Sequence, residues 1–189
     1  MTSGLKAFDD AGWYAAARRI PSPNCDARPD GASIRLLVVH NISLPPDEFG
    51  GDGVIDLFLN RLDPEAHPYY RTIAGLRVSA HFFIRRDGEL IQFVPCSMRA
   101  WHAGQSSWRG RERCNDFSIG IELEGSDQVP FTAEQYVCLS ALVKDLRQTY
   151  PALEGYAGHA DIAPGRKTDP GPYFDWAWME RVWAGEDVA

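Results

Sequence analysis

A run near the C-terminal end of the chain, GHADIAPGRKTDPGP, combines residue types that could do chemistry. Zinc accepts histidine nitrogen and carboxylate oxygen, and catalytic zinc sites keep three protein ligands and a water, so His159 and Asp169 are candidate ligands. If the segment before Asp169 is extended, Lys167 points to the same side as the aspartate and could stabilise an oxyanion beside a metal. Taken alone, however, the run is more typical of a solvated polar loop.

Two further candidates lie on predicted strands. Residues 33–40 form a continuous apolar run, which predicts a strand buried on both faces. His40 ends this strand, where α/β folds place their ligands, although a hydrogen-bonded core histidine is the commoner outcome for position alone. Residues 117–123 alternate strictly, so Glu122 projects from the polar face, and Gly120 leaves space before it. Such a carboxylate is usually only solvated, but beside a zinc-activated water it would be a general base and then a general acid.

The elements that must position these residues follow from periodicity and turn signals. Thr132 and Gln135 form a capping box at the start of an apolar helical stripe that Pro151 ends. In chain order we predict a loop over 41–51, a helix over 54–60, a β-hairpin of strands 78–84 and 89–94, a helix over 132–150 and a short helix over 175–183. This mixture predicts an α/β single domain with a mixed central β-sheet flanked by helices.

Length and composition restrict the function classes. The chain has 189 residues, 44% of them hydrophobic and 24% charged, which fits one globular domain over residues 1–189. The net charge of −7 argues against a general nucleic-acid binder, while a small anionic ligand needs only a local cationic patch. No segment reaches the roughly 20 apolar residues of a membrane span, and the opening MTSGLKAFDDAGW is not typical of a secretory signal.

The cysteines and short motifs also exclude common sites. The four cysteines are scattered without a CxxC pair, and HExxH, GxSxG, P-loop and GxGxxG motifs do not occur. Scattered cysteines indicate reduced thiols of a cytoplasmic protein, not a disulfide framework or a thiolate zinc site. Any zinc site must therefore be assembled from distant segments.

Five longer blocks of sequence resemble a known family. They are LLVVHNISLPP, AHPYY, LRVSAHFFIRRDGELIQFVP, RAWHAGQSSWRGRERCNDFSIGIELEG and GHADIAPGRKTDPGPYFDW. Together they resemble the zinc-dependent N-acetylmuramoyl-L-alanine amidases, which include cytosolic enzymes of Gram-negative cell-wall recycling. More distant relatives are phage lysozyme-type amidases and peptidoglycan recognition proteins, whose fold the resemblance implies. It covers a core of about residues 12–176.

The resemblance implies a role for each matched residue. One Zn²⁺ would be held by His40, His159 and Asp169, the last at a position where many relatives in the wider family carry cysteine. Glu122 matches the acid/base carboxylate, and Lys167 matches the residue thought to stabilise the transition state. The implied reaction is hydrolysis of the amide between the lactyl group of (1,6-anhydro-)N-acetylmuramic acid and L-alanine. Glu122 would take a proton from the attacking water and return it to the departing nitrogen.

Substrate contacts are implied for a second set of residues. Asn41, Arg77 and Arg113 match positions that contact the muropeptide in this family, and Trp101 could line the cleft. Because the protein is acidic overall, local arginines would have to recruit the stem-peptide carboxylates. Arg109 and Arg111 are equally consistent with a solvated surface loop. For Trp101, and likewise for Trp108 and Phe49, ordinary packing is the stronger expectation.

The other three histidines are not expected to bind the metal. We expect His67 and His81 to be structural, and we leave His102 open between a cleft role and a structural one. A non-catalytic peptidoglycan-binding module and another zinc peptidase are the alternative functions; the first is disfavoured because the matched ligands and acid/base residues are all present. The predicted partner is a small muropeptide, without nucleic acid or membrane, for a monomer whose loss would raise β-lactamase induction indirectly.

Overall fold

A computed structural model describes residues 6–188; the first five residues of the N-terminal segment considered above, and residue 189, lie outside the described part of the predicted domain. The strands are β1 (Arg18–Arg19), β2 (Cys25–Ala27), β3 (Leu36–Ile42), β4 (Phe82–Ile84), β5 (Leu90–Gln92), β6 (Met98–Ala100), β7 (Ser107–Trp108), β8 (Arg111–Glu112), β9 (Ser118–Glu124) and β10 (Gly155–Gly158). The helices are α1 (Gly53–Phe58), α2 (Pro68–Thr72), α3 (Ala133–Thr149), α4 (His159–Ile162) and α5 (Trp176–Ala184), with a 3₁₀ turn at Cys114–Asp116.

The centre of the molecule is a six-stranded mixed sheet in the order β1-β5-β4-β9-β3-β10. β3 pairs parallel with β9 on one side and with β10 on the other, and β4 also pairs parallel with β9. β4 and β5 form the antiparallel hairpin that the turn signal predicts. The register places His40 opposite Glu122. The predicted single-domain α/β fold with a mixed sheet and flanking helices is confirmed.

The longer predicted elements are present with shifted ends. β3 starts and ends later than predicted and includes Asn41, which the loop prediction had placed outside it. The capping box of α3 is formed in both directions: the hydroxyl of Thr132 accepts from the backbone N–H of Gln135, whose side chain accepts from the backbone N–H of Thr132. α1 and α5 lie where helices were predicted over 54–60 and 175–183.

The sequence prediction missed β10, which completes the site edge of the sheet. Its sequence, GYAG, contains two glycines and no β-branched residue, so its strand propensity is low. Backbone pairing with β3 holds it in place. The strand matters for the site because α4, which begins at His159, follows it directly.

The two faces of the sheet differ in chemistry. On one face Val39, Ile121 and Leu123 belong to the large core that also contains the buried side of α3 and parts of α5. Because side chains alternate along a strand, His40 and Glu122 lie on the opposite face. Among the described residues, no helix combines the length and the apolar character needed to cross a membrane.

Candidate metal centre

Three metal-ligand atoms meet near the carboxyl ends of β3 and β10. His40 Nδ1 lies 3.0 Å from His159 Nδ1 and 2.9 Å from Asp169 Oδ2, and His159 Nδ1 lies 3.1 Å from the same oxygen. With metal–ligand distances of roughly 2.1 Å, a tetrahedral ion separates its ligand atoms by about 3.4 Å. The triangle therefore has nearly the size that a tetrahedral metal requires.

The hydrogen bond of the outer nitrogen of His159 fixes which nitrogen of the ring carries the proton. Nε2 of His159 donates to the carbonyl oxygen of Ala103 at 3.1 Å, so the neutral ring keeps a lone pair on Nδ1. That lone pair faces Asp169 Oδ2, and two lone pairs this close repel unless a proton or a cation lies between them. Two imidazole nitrogens and one carboxylate oxygen form a donor set that fits Zn²⁺.

Protonation also favours metal binding. Burial lowers the pKa of His40 to about 4, although Asp169 acts in the opposite direction. Burial acts to raise the pKa of Asp169, but its contacts with His159 and His40 prevail and hold that pKa below its ordinary range. A neutral histidine and an ionised aspartate are the protonation states in which these side chains bind metal.

Glu122 is buried beside the triad with an unpaired oxygen. Its side chain is 7% exposed, and Oε2 has no hydrogen-bond partner among the described residues. Burial raises the pKa of Glu122 well above its ordinary value; the charge of Asp169 raises it further, and Lys167 opposes the shift. A carboxyl group with a raised pKa can accept and return a proton near neutral pH, as general acid–base catalysis requires.

The proline-containing loop after α4 carries Lys167 to the same place. The backbone N–H groups of Arg166 and Lys167 both donate to the carbonyl of Ala163, and the N–H of Ala160 donates to the carbonyl of Asp169. The loop is thus closed on itself by its own backbone. The side chain of Lys167 is exposed and lines the same cavity as the triad.

One cavity of about 520 Å³ contains the triad, Glu122 and Lys167. Its polar lining residues also include Asn41, Asp127 and Arg166. Its apolar and aromatic lining consists of Leu57, Phe58, Tyr69, Ile73, Leu76 and Val78. The cavity therefore offers a charged region and an apolar surface to a single ligand.

Two of the four predicted substrate contacts line this cavity. Asn41 donates from Nδ2 to Asp127 Oδ1 at 2.7 Å, and Trp101 donates from Nε1 to Asp26 Oδ1 at 3.2 Å. Arg77 is exposed between two cavity-lining residues but does not line the cavity itself.

Arg113 lies apart from the central cavity. Its side chain is 71% exposed, pairs with Asp116 and lines a neighbouring cavity of about 370 Å³. The other arginines of the same loop cover aromatic rings: Arg109 lies over Trp108 at 4.4 Å and Arg111 over Phe117 at 4.0 Å. The structure therefore does not gather this basic loop around the triad.

Sequence reasoning missed Arg166 and left His102 open. Arg166 Nη2 donates to the carbonyl oxygens of Ala103 and Gln105, at 2.7 Å each. His102 is buried, with Nδ1 2.9 Å from Nε2 of His40. The only signal for Arg166 was a cation next to Lys167, and charge alone could not show that its exposed side chain borders the cavity.

The other two histidines have structural contacts. His67 caps α2, since its Nδ1 accepts from the backbone N–H of Tyr69. His81 is fully buried, and its Nδ1 accepts from the backbone N–H of Gly120.

Comparison with known proteins identifies the family. A family model described as N-acetylmuramoyl-L-alanine amidase matches residues 30–172. The chain belongs to this family. Similar members are the 1,6-anhydro-N-acetylmuramyl-L-alanine amidases AmpD of Citrobacter freundii and of Escherichia coli K12. They are 62% and 59% identical over 169 residues each, which is 89% of this chain and 90% and 92% of those proteins.

Solved structures of the amidase family agree with this assignment. The crystal structure of a selenomethionine AmpD derivative matches with a TM-score of 0.89 and 60% identity, over 92% of this chain and 97% of that one. Escherichia coli AmiD, solved with anhydro-N-acetylmuramic acid-L-Ala-D-γ-Glu-L-Lys as its substrate, matches with a TM-score of 0.58 and 33% identity. That match covers 85% of this chain and 62% of AmiD. The resemblance found in the sequence blocks is confirmed.

Proposed function

We propose that the chain is a zinc-dependent amidase that hydrolyses the amide between the lactyl group of 1,6-anhydro-N-acetylmuramic acid and L-alanine. The observation that carries this proposal is the triangle of His40, His159 and Asp169 ligand atoms in one cavity with Glu122 and Lys167. The names of the AmpD relatives, which match about nine-tenths of both chains, support the same activity.

The triad would hold one zinc ion per chain. When bound, zinc supplies Lewis acidity and lowers the pKa of a water molecule toward about 7. The neutral rings of His40 and His159 and the single carboxylate of Asp169 leave the centre with a net positive charge. This charge also favours the ionised form of the nearby Glu122, which must be a base when the reaction begins.

Glu122 moves the proton. Its carboxylate accepts a proton from the attacking water and returns it to the departing L-alanine nitrogen. One group serves both steps because burial keeps the protonated form accessible while the cationic surroundings keep the ionised form accessible. Lys167 brings its ammonium to the cavity where the amide oxygen gains negative charge. Loss of one such donor typically lowers the rate by about 10²–10³-fold.

The polar and apolar lining residues of the cavity suit different parts of a muropeptide. The apolar residues offer surface to the sugar ring and the lactyl methyl group, and Trp101 adds an aromatic surface. Arg166 offers positive charge to the stem-peptide carboxylates, and Asn41 can exchange its hydrogen bond to Asp127 for one to the substrate. Arg77 and Arg113 would contact only parts of the substrate that extend beyond the cavity.

The proposed cellular role is muropeptide recycling in the cytoplasm by a monomer that needs neither nucleic acid nor membrane. Similarity to AmpD and the net charge of −7 support this role. Loss of the enzyme would let anhydro-muropeptides accumulate and raise β-lactamase induction indirectly.

Bound zinc and turnover of anhydro-muramyl-tripeptide, measured together, test the proposal. Wild type should hold about one zinc per chain and release the tripeptide, and Asp169→Ala should lose both. Asp30→Ala, at an exposed position outside the cavity, is the matched control and should retain both.

Two outcomes would reject the proposal. A wild type that binds the muropeptide without zinc and cleaves nothing would be a binding module. A wild type that cleaves the free tripeptide as fast as the sugar-linked one would be a peptidase.

A further inference from the structure

We propose that His102 is a positioning residue for the metal centre, which fixes the ring of His40 with Nδ1 toward the metal. His102 is not a member of the triad, and no role in the reaction above depends on it. The inference rests on the proposed zinc site and adds a determinant of its zinc affinity.

Two hydrogen bonds form a chain that leads away from the centre. His102 Nδ1 lies 2.9 Å from His40 Nε2, and His102 Nε2 lies 3.1 Å from Ser118 Oγ. The planes of the two rings are nearly perpendicular, at 88°, and their centroids lie 5.0 Å apart.

When metal is bound, all the hydrogen bonds of this series must point the same way, from His40 through His102 to Ser118. A histidine that binds metal through Nδ1 must carry its proton on Nε2. Nε2–H of His40 then donates a hydrogen bond to Nδ1 of His102, and Nε2–H of His102 donates one to Oγ of Ser118. Removal of the acceptor would leave the buried Nε2–H of His40 unpaired and the ring free to change its tilt.

The backbone around His102 is held as firmly as its ring. Asn115 Oδ1 accepts from the backbone N–H of His102 at 3.1 Å and from that of Ala103 at 2.8 Å. The carbonyl of Ala103 accepts from Nε2 of His159. Two consecutive residues therefore contact the outer nitrogens of both metal-binding histidines.

Strand β9 leaves room for this ring at a single position. A Cβ on Gly120 would lie 2.4 Å from Cγ of His102, which is too close for any real contact. The sequence pattern suggested that Gly120 leaves space beside Glu122, and the structure shows that the imidazole of His102 occupies that space. The strand is thus shaped around an imidazole that connects it to the metal centre.

Zinc affinity, measured by competition with a chelator, tests the inference. His102→Leu removes the acceptor, and we expect it to weaken zinc binding about 10–100-fold. His102→Asn keeps an acceptor oxygen near the position of Nδ1 and should stay within about threefold of wild type. His81→Asn replaces a second buried histidine that does not contact the triad, and it should bind zinc as wild type does.

Nitrogen-15 NMR of the zinc-loaded wild type gives a readout that needs no variant. Nε2 of His40 should carry the proton and Nδ1 should not. Equal zinc affinity of wild type and a folded His102→Leu, or a proton on Nδ1 of His40 in the zinc form, would overturn the inference. A wild type that binds no zinc would instead refute the proposed function, so the two failures are distinguishable.

Discussion

The two faces of β9 are buried to the same degree for different reasons. All seven residues of the strand are buried. On one face Ile119, Ile121 and Leu123 contribute apolar area to the main core. On the other face lie Ser118, Gly120, Glu122 and Glu124. Burial of polar groups costs free energy unless each finds a hydrogen-bond partner, so the polar groups of the second face require such partners.

Most polar groups on this face have a hydrogen-bond partner. Ser118 contacts His102, and the N–H of Gly120 donates to His81. Glu124 accepts from the backbone N–H groups of Gly50 and Arg86 at 2.6 and 2.9 Å. Among the fully buried side-chain oxygens and nitrogens of this strand, as far as the structure describes it, only Oε2 of Glu122 has no partner. The unpaired buried oxygen on this face therefore belongs to the residue that we propose as the proton carrier.

The largest effect should come from Glu122→Gln on the polar face. The change removes the proton acceptor but preserves the shape of the neutral carboxyl that burial favours. We expect kcat/KM to fall by about 10²–10⁴-fold, with little change in zinc content or Tm.

Glu124→Gln, two residues further on the same face, should lower stability and leave activity largely unchanged. Stability should fall because both oxygens of Glu124 accept backbone N–H groups. A Glu122→Gln enzyme within tenfold of wild type would remove the distinction between the two glutamates.

Ile121→Ala tests the apolar face. Its side chain is fully buried in the core, so its truncation should cost about 2–5 kcal/mol of unfolding free energy, measured by urea denaturation. The folded enzyme should keep its kcat. Val137→Ala, at a position of α3 that is 61% exposed, should change stability by less than about 0.5 kcal/mol. A large fall in kcat of fully folded Ile121→Ala would show that the faces are not independent.

The smallest effect concerns pH and His81, which lies against the polar face. Burial, followed by the charge of Arg28, lowers the pKa of His81 well below 6.5. The folded protein thus keeps this ring neutral while the unfolded chain binds a proton below about pH 6.5. The corresponding stability is present above that pH and is lost as the pH falls further, by at most about 1.4 kcal/mol per unit.

His81→Asn sharpens this prediction. Asparagine keeps an acceptor for the N–H of Gly120 but does not titrate. The unfolding free energy of the metal-free variant should therefore fall less steeply than that of wild type between pH 7 and pH 5. Identical slopes in urea titrations at pH 7, 6 and 5 would contradict the assigned cause.

Local periodicity explains why part of the fold could be predicted. The apolar run of β3, the alternation of β9 and the stripe of α3 are each contained within one segment, and all three elements are present. β10 could not be predicted because its pairing with β3 depends on residues more than a hundred positions away. The sequence pattern placed Glu122 on a polar face but could not show that this face is buried.

The site was predictable mainly through its resemblance to a family. No local spacing relates His40 to His159, because parallel pairing of distant strands brings them together. Charge indicated that cations must recruit the substrate, but it could not tell that the loop of Arg113 lies apart while Arg166 borders the cavity. Loop position depends on packing that composition does not encode.

The division of the triad between β3 and the segment after β10 has a consequence for protein synthesis. A chain emerges from the ribosome N-terminus first, so the first ligand, the hairpin and β9 with Glu122 are all made before the other two ligands. Nearly the whole central sheet is therefore available before the chain can capture a metal. Zinc loading would report that translation of this domain is nearly complete; it would not nucleate the fold.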